Sequence, residues 1–398
     1  MRLGMSVLRV RHLLLLAWIL ELTVSGGQAG DWLLLTHEAH SMFSATGLHV
    51  YTTSPPPQAG PLSLAVVRVM ALAGRRYSAD LAEVLNALVG WVLVMLVERT
   101  AVRVRGLPSA DGSPALMATT FGLGLLVLQV WGQLTGTFLH TDDVLAGAAI
   151  VLTALWTAED RSRAAGLAAG AAVCCKPWAV AAVPLLMGLH SRRRVSLGCA
   201  AAVIGACWLP FFIAAPHSVG AGGYGYPISP ESPVRFLGMH SRVSPGWLRD
   251  TELLGIPIAG VVAARRRAWY AAAGAALLVR LLLDPLAGDL YYYTAVPMLC
   301  LAGYEMAAGG VPWRTPVLWV GMWLDTFVLP MHSLAAVSCI TLIVLLADMC
   351  LWPGRHRMPP PGSRAAGPDA RDPARSLGRS LGSDRAADFP VPDPVATG

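Results

Sequence analysis

Residues 163–194 read RAAGLAAGAAVCCKPWAVAAVPLLMGLHSRRR, and the fold turns on how that stretch is crossed. Arg163 opens it, Arg192-Arg193-Arg194 closes it, and the apolar run between them is broken once, at Lys176-Pro177. Each half is about a dozen residues, too short alone for a hydrocarbon core of about 30 Å. Basic clusters mark the cytoplasmic ends of spans, so both ends read as cytoplasmic. The stretch predicts two short spans meeting near Lys176, where non-helical backbone must line a protein-walled cavity.

The surrounding chain has the same character. Of 398 residues, 55% are hydrophobic and only 14% charged, against about a quarter charged in soluble domains. Mean hydropathy is +0.55, and the apolar residues gather in many long runs, the mark of a polytopic all-α membrane protein. A soluble enzyme, a nucleic-acid binder and a secreted disulfide scaffold are excluded. The net charge of +6 is arginine in short clusters between apolar runs, a topology signal and not a polyanion footprint. Cys174, Cys175, Cys199, Cys207, Cys300, Cys339 and Cys350 all fall in expected spans and read as small buried apolar residues.

Upstream, Arg2, Arg9 and Arg11 precede an apolar stretch from His12 to Val24. Glu21 interrupts its core, which favours an uncleaved first span over a signal peptide cut after Ala29. Residues 31–60 then read as a polar first outer loop, and Pro61–Gly74 as a helix lying at the outer interface. Further spans are expected at Leu81–Val97, Pro114–Trp131 and Val144–Trp156. Downstream of the hairpin come Val195–Ala214, a long outer loop over 217–250, then Leu253–Ala264, Trp269–Leu286, Tyr292–Ala308, Val317–Leu329 and Leu334–Trp352. The count is about twelve helices in a domain over 1–352, with both termini cytoplasmic. Residues 353–398 mix Pro, Gly, Ala, Arg and Asp without periodicity and read as a disordered cytoplasmic tail.

Ionisable groups in such a chain are costly, so their positions carry information. They converge on the outer half: Asp31, Glu38, His140, Asp142, Asp143, Lys176, Arg280, Asp284 and Asp289, with Arg235, Arg242 and Arg249 from the long loop. Each has a plainer reading. Asp31 suits the N-cap of a helix beginning at Trp32, and Asp142 and Asp143 suit a helix start. Arg280 and Asp284, four apart, neutralise each other, and Lys176 snorkels to the interface. Yet Lys176 is the single lysine among 30 basic residues. One exposed carboxylate backed by several cations suits group transfer from a lipid phosphate, the carboxylate taking a proton and the cations holding the leaving phosphate.

Asp31-Trp32, then Gly47-Leu48-His49-Val50-Tyr51, Pro55-Pro56-Pro57 and Gly60-Pro61-Leu62, resembles the first outer loop of polyprenol-phosphate-mannose-dependent glycosyltransferases. These form part of the GT-C superfamily, and the pattern looks most like the actinobacterial family 87 alpha-mannosyltransferases. Gly166-Leu167-Ala168-Ala169-Gly170 running into Lys176-Pro177-Trp178, Arg280-Leu281-Leu282-Leu283-Asp284-Pro285 and Tyr291-Tyr292-Tyr293-Thr294 are similar to segments of the same group. The resemblance covers most of residues 1–350. It implies a GT-C-like bundle in the cell membrane with its active site outside. Asp31 would be the catalytic base, and Lys176 and Arg280 would bind the donor phosphate. Glu38, His140, Asp142, Asp143, Asp284 and Tyr292 would be auxiliary or acceptor-side residues. The implied partners are a polyprenyl-phosphate sugar donor, a glycan or glycolipid acceptor and membrane lipid, with no nucleic acid. No cofactor is expected, although the acidic His140–Asp143 stretch leaves a divalent metal as an alternative. A transporter or lipid flippase, or an inactive scaffold of the same fold, are the competing readings.

Overall fold

The computed structural model describes residues 7–25, 31–45, 47–53, 56–74, 77–110, 112–216, 227–230, 232–285, 290–327 and 331–351. Among them the regular elements are helical, apart from one isolated bridge between Pro227 and Val243. In chain order the α-helices are α1 (Val7–Ser25), α2 (Trp32–Met42), α3 (Pro61–Ala71), α4 (Ser78–Arg105), α5 (Pro114–Gly132), α6 (Thr141–Ala158), α7 (Ser162–Cys175) and α8 (Arg193–Ala214). They continue with α9 (Pro233–Phe236), α10 (Gly246–Arg266), α11 (Ala272–Leu283), α12 (Leu290–Tyr293), α13 (Ala295–Ala308), α14 (Arg314–Phe327) and α15 (Met331–Leu351).

Four segments, Ser78–Arg105, Pro114–Thr137, Thr141–Ala158 and Arg193–Ala214, are long and apolar enough to cross a membrane. Their surroundings agree with that. Leu16 on α1, Leu88 on α4, Ile213 on α8, Leu254 and Ile258 on α10 and Ile343 on α15 are exposed, and so broad an apolar surface marks contact with lipid or another protein. The tail 353–398 lies outside the described residues, as does Asp289.

The hairpin at Lys176 forms as expected, with one difference. Its first arm is α7, but its second, Pro177–Gly188, is a 3-10 helix containing Pro184. Such runs rarely exceed three or four residues, and they rise about 2.0 Å per residue. Twelve residues then cover about 24 Å, where an α-helix would cover about 18 Å. The tighter coil is how a short arm spans the same depth as α7, whose 14 residues rise about 21 Å. Gly166 and Gly170, four apart on α7, make the hairpin pack. A Cβ at Gly166 would lie 2.2 Å from the Ser196 carbonyl oxygen, and one at Gly170 2.7 Å from Val203 Cβ. Only glycine lets α7 and α8 approach this closely, as small residues do between helices in lipid.

Other boundaries differ from those expected. The stretch 31–60 is not merely a polar loop: it holds α2 and a 3-10 turn, Gly47–Thr52, because Trp32, Leu35 and Ala39 form a buried helical stripe. The 217–250 loop ends early, since α10 begins at Gly246. Cys199, Cys207, Cys300 and Cys350 are only partly buried, although all seven cysteines are free as expected.

The chain's direction of travel sorts its charges. Glu98 and Arg99 near the end of α4, Arg161 before α7, Arg193 opening α8, Arg266 closing α10 and Asp348 near the end of α15 share one end of the bundle, linked by bonds such as Arg99 to Glu159 (2.8 Å) and Arg267 to Asp348 (2.7 Å). Asp31, His140, Lys176 and Arg280 occupy the other.

Candidate functional site

Three helix junctions build this second end. After α5 the chain passes through a π-helical turn, Gln133–Thr137, and then Leu139 adopts φ +55°. A bulky residue rarely enters that left-handed region. The turn presents His140 at the start of α6. Phe138 stacks on Tyr292 with ring centroids 4.0 Å apart, and Tyr292 stacks on His140 at 5.1 Å. His140 Nε2 lies 3.2 Å from Asp31 Oδ2 but completes no hydrogen bond, and Nδ1 lies 3.7 Å from Asp143 Oδ2 and 3.9 Å from Asp142 Oδ1.

Lys176, at the hairpin apex, is buried and reaches into the first turn of α6. Its Nζ lies 2.8 Å from Asp142 Oδ2 and 2.6 Å from Asp143 Oδ2. Snorkelling is therefore overturned: the ammonium ends among carboxylates and not at a water interface. The capping readings hold by position and not by bond: Asp31 is the N-cap residue of α2, and Asp142 and Asp143 lie in the first turn of α6. Asp31 makes no side-chain bond to the α2 backbone, and His140, not Asp142, is the N-cap of α6. Asp142 Oδ1 instead accepts the Asp143 N–H at 3.0 Å.

The roof over this cluster is the 31–74 stretch. The Gly60 N–H donates to the Cys175 carbonyl at 2.7 Å, and Ser63 Oγ donates to the same oxygen at 3.1 Å. The start of α3 is thus pinned to the residue before Lys176. A Cβ at Gly60 would sit 2.2 Å from the Cys174 carbonyl oxygen, so glycine is required there. Tyr51, whose hydroxyl donates to the Ala59 carbonyl at 3.0 Å, packs against Trp208 and Phe211 and ties the roof to α8.

Under the roof lies a cavity of about 340 Å³, lined by Asp31, His37, Glu38, Gln58, His140, Asp142, Lys176 and Tyr293 among others. The Asp31 side chain is 42% exposed at its mouth, whereas that of His140 is 8% exposed. Burial first, then the negative charges of Asp142 and Asp31, outweigh the opposing pull of Lys176 and push the Glu38 carboxyl up to about 7. A second, smaller chamber of about 30 Å³ shares Gln58, Lys176 and Tyr293 as its wall and adds Trp178, Arg249, Glu252, Arg280 and Asp284. The Arg280 guanidinium lies 4.4 Å from the Trp178 ring centroid and 5.2 Å from that of Tyr293. Asp284 is 3.9 Å away, so the ion pair read from their spacing forms, at a distance too long for a hydrogen bond.

Asp31, Glu38, His140, Asp142, Asp143, Lys176 and Tyr292 therefore meet in one cluster, with Arg280 and Asp284 in the adjoining chamber. Gln58, Trp178, Tyr293 and Glu252 are site residues that the sequence reading did not select. Tyr293 and Trp178 carried a signal, since both sit inside quoted motifs. Glu252 carried only its i,i+3 spacing from Arg249, to which it is bonded at 2.6 Å, and Gln58 carried none. His140, Asp142 and Asp143 offer ligand atoms within 4.8 Å of one another, so the donor set fits a divalent metal; the Lys176 ammonium is bonded to two of them. No family model, curated protein or solved structure matches this chain.

Proposed function

We propose that this chain is a multi-pass membrane enzyme of the GT-C kind. It would transfer a sugar, mannose by the resemblance, from a polyprenyl-phosphate donor to an extracytoplasmic glycan or glycolipid acceptor, with inversion at the anomeric carbon. The observation that carries the reading is a half-exposed carboxylate, Asp31, at the mouth of a cavity with buried cations Lys176 and Arg280 behind it. That cavity lies at the end opposite the arginine clusters, which the positive-inside rule puts outside the cytoplasm. A transporter would place such charges near the midplane on broken, repeat-related helices.

In the proposed reaction the acceptor hydroxyl enters beside Asp31, which takes its proton. The freed oxygen bonds to the anomeric carbon from the face opposite the phosphate. The bond from that carbon to the phosphate oxygen breaks, and its electron pair stays on the phosphate, which gains a negative charge. Arg280 is the group best placed to meet that charge. Its Nε is buried without a hydrogen-bond partner among the described residues, and aromatic rings wall its guanidinium. Lys176 has a lesser share, because Asp142 and Asp143 already occupy two of its three N–H donors.

The test is transfer by the purified full-length chain in liposomes carrying polyprenyl-phosphate mannose. Acceptor-dependent release of polyprenyl phosphate, lost in Asp31→Asn, is expected. Movement of labelled lipid across the bilayer without transfer would instead establish a flippase, and neither activity would establish a scaffold.

A further inference from the structure

The single lysine of this chain sits where a metal ion would. His140, Asp142 and Asp143 are all buried and offer ligand atoms within 4.8 Å of one another. Ligands to a bound zinc lie at about 2.0–2.2 Å in tetrahedral directions, hence about 3.5 Å apart, so an inward shift of about an ångström would complete the site. Lys176 Nζ already bridges two of the three, 2.8 Å from Asp142 Oδ2 and 2.6 Å from Asp143 Oδ2. We propose that the Lys176 ammonium is the resident cation of a carboxylate–imidazole site otherwise built for a divalent metal, and that removing it opens the site to Mn²⁺ or Zn²⁺.

Two further observations support this. Asp143 Oδ1 is buried and has no hydrogen-bond partner among the described residues, and His140 turns Nδ1 toward Asp142 and Asp143 at 3.9 and 3.7 Å. An ammonium has one charge and three donors, and it leaves this acceptor-rich cluster partly unmet, whereas a divalent ion would draw on it fully. The choice of lysine also has a reason. The chain uses arginine at its other 29 basic positions, but a guanidinium is a broad planar fork and an ammonium a compact point charge. The compact charge suits a seat between two adjacent carboxylates. The wild-type site then has its cation covalently attached and needs no divalent ion.

The proposal rests on the geometry of these four residues and not on sugar transfer, so metal binding tests it even if the chain transfers nothing. Mn²⁺ alone would be titrated into the detergent-purified full-length chain, read by electron paramagnetic resonance and thermal unfolding. Wild type is expected to bind no Mn²⁺ at millimolar concentration, and its Tm should not move. Lys176→Met is expected to bind one ion per chain, with a Tm that climbs with the logarithm of Mn²⁺ above its Kd. His140→Ala added to Lys176→Met should weaken binding at least tenfold. If Lys176→Met does not fold, Asp142→Asn/Lys176→Met has one buried charge fewer, keeps an oxygen ligand, and should bind Mn²⁺ where wild type does not. Stoichiometric Mn²⁺ binding by wild type, or none by either variant, overturns the proposal.

Discussion

The two ends of the bundle treat buried charge differently. At the arginine end two carboxylates, Glu305 and Asp348, are fully engaged. Glu305 accepts from the backbone N–H groups of Trp313, Arg314 and Thr315 and from the Thr315 hydroxyl, and so holds the start of α14. Asp348 is shared by Arg267 and Arg314 at 2.7 Å each, which joins α10, α14 and α15. Orphaned atoms occur there too among the described residues, on Thr157, Ser196, Arg11 and Glu98, the last two within one ion pair 2.7 Å long. At the Asp31 end, His140 Nε2, Asp143 Oδ1, Arg280 Nε and Glu252 Oε1 have no hydrogen-bond partner among the described residues, and all four residues line or adjoin the two chambers. Most buried polar groups in a native fold are satisfied. The ends differ less in the number of unpartnered atoms than in their place: at the Asp31 end they border open chambers.

That contrast is most exposed to Asp31→Asn. The change keeps size and removes basicity, so transfer should fall about 10²–10⁴-fold, with thermal unfolding unmoved because the Asp31 side chain makes no bond to the α2 backbone. A melted variant with proportionate activity would erase the distinction between the ends. Glu305→Ala is the reciprocal experiment. It leaves three helix-start N–H groups and a hydroxyl unbonded, a loss of about 3 kcal/mol in stability, while transfer per folded molecule stays at the wild-type rate. Arg280→Gln should lower kcat more than it raises KM for the donor, because the phosphate gains charge only as the bond breaks; a drop of about tenfold to a hundredfold is expected, with little change in Tm.

The smallest effect concerns pH. Glu38 binds its proton more tightly in the fold, at about 7 against 4.5 for the free side chain. The folded state thus holds more protons than the unfolded one across that window. Its contribution to stability is full below about 4.5 and is lost as pH rises through about 7. Thermal unfolding of wild type should therefore soften between these values, and Glu38→Gln should flatten the curve. If Glu38 rather than Asp31 takes the acceptor proton, activity will rise through pH 7 and disappear in Glu38→Gln; with Asp31 in that role, Glu38→Gln remains active.

Much of this end was legible in the sequence, for a physical reason. A charge placed against an apolar run is expensive, so Asp31, Lys176 and Arg280 stood out wherever the chain turned. The break at Lys176-Pro177 between two arginine clusters located the hairpin and its apex. What the sequence hid was pairing across the fold. Nothing local says that Lys176 meets Asp142 and Asp143, 33 or 34 positions away, so phosphate binding looked like its first duty. Glu252 was passed over because its surroundings, Gln58, Lys176 and Arg280 among them, come from elements far along the chain. The helix α2 was obscured by polar residues, His37, Glu38 and His40, that are common in loops but here sit beside a buried apolar stripe.

The left-handed turn at Leu139 has a consequence on the evolutionary timescale. Glycine would hold that backbone at less cost, and a leucine there sacrifices about 1–2 kcal/mol of conformational energy. Its side chain is buried in the same apolar cluster as Trp32 and Leu35 of α2, so the strain fastens the histidine's turn to the helix that follows Asp31. A descendant that no longer used this pairing would have nothing to gain from the strain. Replacement of Leu139 by glycine or asparagine should then be among the earliest marks of decay, ahead of any change in the saturated carboxylates at the far end.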